Sequence, residues 1–211
     1  MRDIPIVIFA GGKSSRMGRD KALLSFGEYN SLAEYQYKRL SKEFNDIYIS
    51  AKNDKFDFKV DIIYDYTTDI SSPLIGIISV LEFFQNRDVF ILGVDIPFIS
   101  LDDIKTIIQY HIQYNSDTTI SKSPNGIEPL CGVYTPKVLP KAKENLKNNQ
   151  HSLTKLLQSL NTKYIPFTQK NSFSNLNFMD DYTKATQFYG KMYRMDSNNK
   201  KEKLWKKQNH L

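Results

Sequence analysis

Ile4-Pro5-Ile6-Val7-Ile8-Phe9-Ala10-Gly11-Gly12 decides how the rest of this chain is read. A short, continuous apolar run that stops at a pair of glycines is the pattern of a strand buried on both faces, as strands are inside a parallel sheet. Working outward, Leu32–Phe44 spaces Leu32, Tyr35, Leu40 and Phe44 by helical steps behind Ser31, a good N-cap. Ile47–Ala51 and Val60–Tyr64 read as strands, and Pro73–Phe84 as a helix with proline in its first turn, where the missing N–H is harmless. Val89–Val94 repeats the buried-strand pattern, and Leu101–Tyr114 is a helix capped by Ser100 with Asp102 and Asp103 against its positive end. Thr118–Ser121, Ile127–Tyr134 and Lys163–Phe167 are expected as further strands. Val138–Lys147, Ser152–Leu160 and Asp181–Tyr189 are expected as helices. Strands alternating with helices imply right-handed βαβ crossovers, hence an α/β protein: a three-layer αβα sandwich around a Rossmann-like, mostly parallel sheet.

Composition narrows the class further. The chain has 211 residues, 29 Lys+Arg against 23 Asp+Glu, and a net charge of +6. Residues 191–211 hold seven basic and two acidic side chains, so +5 of that charge is in the tail and the first 190 residues are almost neutral. The expected organisation is one domain over 1–190 and a basic, flexible tail over 191–211. Such a tail is ordinarily a solvated end, with polyanion binding as the other reading. A single cysteine, Cys131, excludes a disulfide framework and a cysteine zinc site, and points to a reducing compartment. The opening apolar run is too short for a signal sequence or a membrane span, so the expected location is cytoplasmic, with no membrane partner.

In an open α/β sheet, ligands bind beyond the carboxyl ends of the strands, which singles out the loop after the first strand. Residues 11–21 contain Gly11, Gly12 and Gly18 together with Lys13, Arg16, Arg19 and Lys21. A P-loop would need a glycine where Val7 stands, and the dinucleotide fingerprint needs Gly-x-Gly-x-x-Gly, which is absent. A glycine-rich, cationic loop still suits phosphate: the backbone amides approach without a Cβ in the way, Arg16 offers a planar fork and Lys21 a mobile charge. The alternative is a surface loop with basic residues by chance. A second feature, Gly93-Val94-Asp95-Ile96-Pro97-Phe98, puts Asp95 at the carboxyl end of the fourth strand. There it is either a turn cap or, with Mg²⁺ between it and the phosphates, a metal ligand. Loop, carboxylate and metal together make a kit for nucleotidyl transfer.

The stretch Ala10-Gly11-Gly12-x-Ser14-Ser15-Arg16-Met17-Gly18-x-Asp20-Lys21-Ala22-Leu23-Leu24 resembles the signature loop of the MobA-like nucleotidyltransferases. The resemblance continues through Ser72-Pro73-Leu74-x-Gly76, Asp95-x-Pro97-Phe98, Glu128-Pro129 and Asn175-Leu176-Asn177 ahead of Asp180-Asp181-Tyr182, and so spans about residues 4–189. It implies the nucleotide-diphospho-sugar transferase type of fold. It further implies a nucleotide site of Phe9, Ala10, Gly11, Gly12, Lys21, Asp65 and Asp95, with Asp95 as the magnesium ligand and Arg16, Lys21 and Asp95 as the catalytic set. The double glycine after Ala10 and the Asn-x-Asn resemble the guanylyl branch. That branch implies transfer of GMP from GTP to the terminal phosphate of molybdenum-molybdopterin, Asn175 and Asn177 on the pterin substrate, and partners in cofactor biosynthesis or molybdoenzyme maturation. Three positions depart from the family pattern: Phe9 for Leu, Ser50 for Asn, and Phe178-Met179 for Thr-Pro. Cytidylyl or sugar-phosphate nucleotidyl transfer is the nearest alternative. A nucleic-acid-binding protein acting through the tail is the alternative from another class, and it leaves the loop and Asp95 unexplained. His111, His151 and His210 all lie outside the motifs.

Overall fold

A computed structural model describes residues 4–11, 18–67, 72–168, 171–173, 175–176 and 178–190. The tail over 191–211 lies outside the described residues. The elements run β1 (Ile6–Phe9), α1 (Leu32–Leu40), β2 (Ile47–Ala51), β3 (Asp61–Tyr64), α2 (Pro73–Phe84), β4 (Val89–Gly93) and α3 (Leu101–Tyr114). They continue with β5 (Thr118–Ser123), β6 (Gly126–Tyr134), α4 (Val138–Lys147), α5 (Leu153–Gln158) and β7 (Thr162–Pro166), after which residues 179–190 form α6. The strands make one seven-stranded sheet in the order β3-β2-β1-β4-β6-β5-β7.

All four residues of β1 are buried, as an interior strand requires. Ile6 and Ile8 face one core with Leu32 and Leu40 of α1, Ile104 and Ile107 of α3 and Ala185 of α6. Val7 and Phe9 face the other with Leu74 and Ile77 of α2, Val138 of α4 and Leu156 of α5. Alternation along one strand therefore separates the two helical layers of the expected sandwich. The helix caps are also where the residue types placed them: Ser31 Oγ accepts from Glu34 N at 3.1 Å, and Ser100 forms a reciprocal capping box with Asp103.

The structure departs from strand–helix alternation in two places. β5 and β6 form a hairpin, so β6 is antiparallel to both of its neighbours while the other strands share one direction. The hairpin closes through Ser123-Pro124-Asn125-Gly126, with Gly126 at φ 135° and Asn125 N donating to Ser123 Oγ at 3.1 Å. The second departure is β2 to β3, two parallel neighbours joined by the irregular segment 52–60 in place of a helix. Phe56 and Phe58 of that segment pack on the α1 side and do a helix's covering work. Boundaries shift as well. The stretch expected as a helix to Phe44 leaves α-geometry at Leu40, where a turn forms with Glu43 N and Phe44 N both bonded to Leu40 O. α5 is shorter than expected, and α6 begins two residues earlier than expected, with Asp181 Oδ2 accepting from Phe178 N at 2.9 Å.

Pairing between β5 and β6 shifts register between Ile120 and Ser121, so that Pro129, Leu130 and Cys131 have no partner on β5, while Cys131 stays paired with Leu92 of β4. Proline has no N–H to give to the ladder, which is why it is found at such a break. Gly132 is required beside it: a Cβ there would lie 2.2 Å from Thr119 O. Cys131, fully buried beneath this bulge, has its thiol pushed up to about 12 by desolvation, which makes it a packing residue and not a nucleophile. No helix among the described residues is long and apolar enough to cross a membrane.

Candidate active site

β1 lies between β2 and β4, and chain order reverses at that point of the sheet. The loops that leave the carboxyl ends of β1 and β4 diverge there, and the crevice between them is where open α/β sheets take ligands. Both ends are held by the sheet itself: Ala10 N donates to Ser50 O at 3.0 Å and Val94 N donates to Phe9 O at 3.1 Å. Continuity of the apolar run thus places Phe9, Ala10 and Gly11 beside Ser50 on one side and Val94 and Asp95 on the other.

A cleft opens over this edge, lined by Phe9, Gly11, Ser50 and Asp65 together with Ser72 and Pro73 at the start of α2 and Leu130 of the β6 bulge. α2 comes close because Gly76 lacks a side chain: a Cβ there would fall 2.9 Å from the Phe9 ring and 3.4 Å from Ser50 Oγ. Ser72 Oγ accepts from Leu74 N at 3.2 Å, so the helix opens directly onto the cleft. Burial pushes the Asp65 carboxyl above its ordinary value, opposed by the positive charge of Lys52.

On the other side of β1, Lys21 Nζ donates to Asp95 Oδ2 at 2.7 Å, an ion pair about four-fifths shielded from water at each end. Lys21 opens a short 3₁₀ turn whose cap is Asp20, with Oδ1 accepting from Ala22 N at 3.0 Å. Asp95 is not the cap of α3, a role that Ser100 fills. Its own backbone carbonyl accepts from Leu176 N at 3.0 Å, so the segment 175–176 is attached to the same residue whose carboxylate holds Lys21. Asn175 Nδ2 in turn donates to Glu128 Oε2 at 3.1 Å, and Ser123 Oγ donates to Glu128 Oε1 at 2.7 Å.

Of the site residues expected from sequence, the described structure brings Phe9, Gly11 and Asp65 to one cleft and Lys21, Asp95 and Asn175 to the adjoining edge, while Ala10 between them is buried in the core on the other face of the sheet. Ser50 lines the cleft too. Gly12, Arg16 and Asn177 lie outside the described residues. Four contributors carry no role in the sequence reading. Glu128 belongs to a quoted motif but is seen only here to hold Asn175. Gln36, on α1, is completely buried and donates from Nε2 to Val94 O at 3.2 Å and Ile96 O at 3.0 Å, the carbonyls on either side of Asp95. Arg39, one turn on, reaches Ile99 O with Nη1 at 2.6 Å and Gln36 Oε1 with Nε at 2.7 Å. Burial lowers the pKa of its guanidinium, and Nη2 has no partner among the described residues. Gln36 falls on the Leu32–Leu40 row of the helix, and a polar residue in an apolar row is the signal that could have found it. Lys55, from the irregular segment after β2, donates to Ala10 O at 2.9 Å and ion-pairs with Asp20. Nothing in its sequence surroundings marks it.

Fold and site together define the class: an α/β protein with a cleft at the switch point of a mostly parallel sheet. Residues 6–163 match the MobA-like NTP transferase domain family. The chain is 34% identical over 185 residues to a molybdenum cofactor guanylyltransferase of Campylobacter jejuni subsp. jejuni serotype O:6, covering 87% of this chain and 96% of that one. It is 32% identical over 194 residues to the enzyme of the same name from Helicobacter pylori strain P12, covering 90% and 94%. The fold is shared with the crystal structure of molybdopterin-guanine dinucleotide biosynthesis protein A from Archaeoglobus fulgidus, at a TM-score of 0.78 and 19% identity, over 89% of this chain and 100% of that one. The chain belongs to the MobA-like NTP transferase family.

Proposed function

We propose that this protein transfers the GMP moiety of GTP to the terminal phosphate of molybdenum-molybdopterin, giving molybdopterin guanine dinucleotide and pyrophosphate. The observation that carries this reading is the double use of Asp95. Its carboxylate meets Lys21 from the loop after β1, and its carbonyl holds the Asn175–Leu176 segment. A nucleotide over the β1 edge and an acceptor beside Asn175 would therefore meet at one residue. The guanylyltransferase relatives, matched over nearly their whole length, favour GTP and a molybdopterin acceptor.

In this reading Phe9, Ala10, Gly11 and Gly12 carry the nucleoside and the first phosphate, with Asp65 on the nucleoside side of the cleft. Arg16 and Lys21 neutralise the phosphates, and Asn175 and Asn177 orient the pterin. An oxygen of the acceptor's phosphate attacks the α-phosphorus, the bond between α-phosphorus and the bridging oxygen breaks, and pyrophosphate leaves with the electron pair. A phosphate monoester is largely dianionic at neutral pH, so the attack needs no general base. Catalysis is then in-line positioning and charge neutralisation by the chain's cations.

The donor set fits Mg²⁺: a hard oxygen ligand from Asp95, placed beside the cation that would meet the phosphates, matches an ion that takes one or two carboxylates and completes its shell with phosphate and water. When bound, the ion supplies charge stabilisation across the phosphate oxygens. We place the reaction in the cytoplasm, where GTP is available and the lone Cys131 stays reduced.

The test is pyrophosphate release with GTP, CTP and UTP, each with and without molybdopterin and Mg²⁺. The expected outcome is release with GTP only when both are present, and a fall of about a hundredfold in Asp95→Asn. Preference for CTP would overturn the guanylyl assignment, and unchanged activity in Asp95→Asn would overturn the metal assignment.

A further inference from the structure

The ammonium of Lys55 bridges the two ends of the signature loop. It donates to the carbonyl of Ala10, the last residue before the loop, at 2.9 Å, and pairs with the carboxylate of Asp20, the residue before Lys21. Its side chain is 16% exposed and Asp20's is 31% exposed, so the contact is largely shielded from water. Asp20 divides its two oxygens, with Oδ2 on Lys55 and Oδ1 on Ala22 N, and the latter contact caps the turn that carries Lys21. Lys55 also lies 5.7 Å from the Phe56 ring centroid, and Phe56 packs on the core beneath. One half-buried charge thus connects three things: the end of β1, the base of Lys21, and the irregular crossover between β2 and β3.

We propose that Lys55 is a positioning residue for the nucleotide, holding the mouth of the phosphate loop at a fixed width so that Ala10, Gly11 and Lys21 meet the ligand in register. The proposal rests on the nucleotidyltransferase reading of the same site. Ala10 and Asp20 belong to separate segments, and a charge-assisted staple between them fixes in advance the two points from which Gly11 and Lys21 meet the ligand, which is preorganisation. The crossover supplies the staple because it lacks a helix: a regular element there would direct its side chains to the sheet face, whereas the irregular segment carries Lys55 to the carboxyl edge. The effect of Lys55 therefore falls on how tightly the nucleotide is held more than on the rate of the step at the α-phosphorus.

The experiment compares the full chain with Lys55→Met, Lys55→Arg, Asp20→Asn and the Lys55→Met/Asp20→Asn double variant. Direct binding of GTP with Mg²⁺, KM and kcat for pyrophosphate release, and thermal stability are measured on each. The expected result is a rise of about tenfold in both Kd and KM for Lys55→Met, a smaller change in kcat, and recovery of most of the binding in Lys55→Arg. The double variant is expected to be no worse than the poorer single one, because both substitutions cut the same contact. A Lys55→Met protein that loses thermal stability but binds GTP within about twofold of the parent would overturn the proposal, as would additive effects in the double variant. If the parent chain binds CTP or UTP in place of GTP, the same comparison is made with that nucleotide, and only the nucleotide assignment fails. A parent chain that binds none of them overturns both readings.

Discussion

Asp65 is a carboxylate that the fold holds at some expense. Burial in the cleft raises its pKa, and the nearby Lys52 offsets only part of that. A raised carboxyl pKa means that the folded chain holds this proton more tightly than the unfolded chain. The stabilising contribution is complete below the ordinary carboxyl range and is lost as the pH climbs through the raised value. Above that raised value the group is charged in both states and pays the desolvation in full. Asp65→Asn is therefore expected to melt at a higher temperature than the parent at pH 7 to 8, with the difference shrinking as the pH is lowered towards 4. The same variant is expected to bind GTP about tenfold more weakly, by loss of a charged hydrogen-bond acceptor. Melting curves across that pH range, paired with titrations of GTP, check both halves. A variant that is more stable and yet binds worse identifies a side chain kept for its ligand and not for the fold.

Helix α1 does more than cover the sheet. Gln36 and Arg39 are directed into the turn that follows β4, and with Tyr35, whose hydroxyl donates to Pro97 O at 3.3 Å, they occupy the carbonyls of Val94, Ile96, Pro97 and Ile99. A turn with its carbonyls occupied in this way has little freedom to rotate, and Asp95 is in the middle of it. Gln36→Met keeps the volume but leaves two buried carbonyls without donors, at a cost of about 1–3 kcal/mol of stability. Urea denaturation measures this loss. The companion expectation is a higher half-saturating Mg²⁺ concentration in Gln36→Met, read from a metal titration at saturating GTP. The β6 bulge is a second device of this kind, since it carries Glu128 to Asn175 and Leu130 to the cleft. The motif residues Glu128-Pro129 are visible in the sequence, but the bulge is a property of the pairing and appears only when Ile120 and Ser121 are seen to change register.

Over the whole molecule, the residues of the cleft and its edge come from segments far apart in sequence and meet only because chain order reverses between the parallel neighbours β1 and β4. Binding at such a seam joins segments that fold together, so the ligand should stabilise the entire unit. At a hundred times its dissociation constant a ligand adds about 2.7 kcal/mol. For a chain of this size that corresponds to a rise in Tm of roughly 5–10 °C. GTP with Mg²⁺ is expected to give a shift of this size and CTP a much smaller one under the same conditions, as calorimetry would show. Equal shifts with both nucleotides would point to phosphate recognition without selection of the base.

Much of this was legible along the chain because the signals are local. A buried strand ending in glycines, a serine before an apolar helical row and a proline in the first turn act within a few residues, and β1, α2 and α3 follow them closely. The glycine-rich cationic stretch and Asp95 were visible for the same reason, as charged residues at the ends of apolar strands. The roles of Lys55 and Gln36 and the tie between Glu128 and Asn175 were not, because the partners are the carbonyls of Ala10 and Val94 and the amide of Asn175, all of them distant in sequence. The direction of β6 was hidden likewise, since strand pairing depends on what lies opposite and not on what precedes, whereas the passage from β2 to β3 without a helix was already in the order of the strands. Residue type and spacing were enough to state which chemistry this chain carries. Register, burial and the meeting of remote segments settled which side chains hold that chemistry in place, because a hydrogen bond is made by position in space and sequence specifies position only through the completed fold.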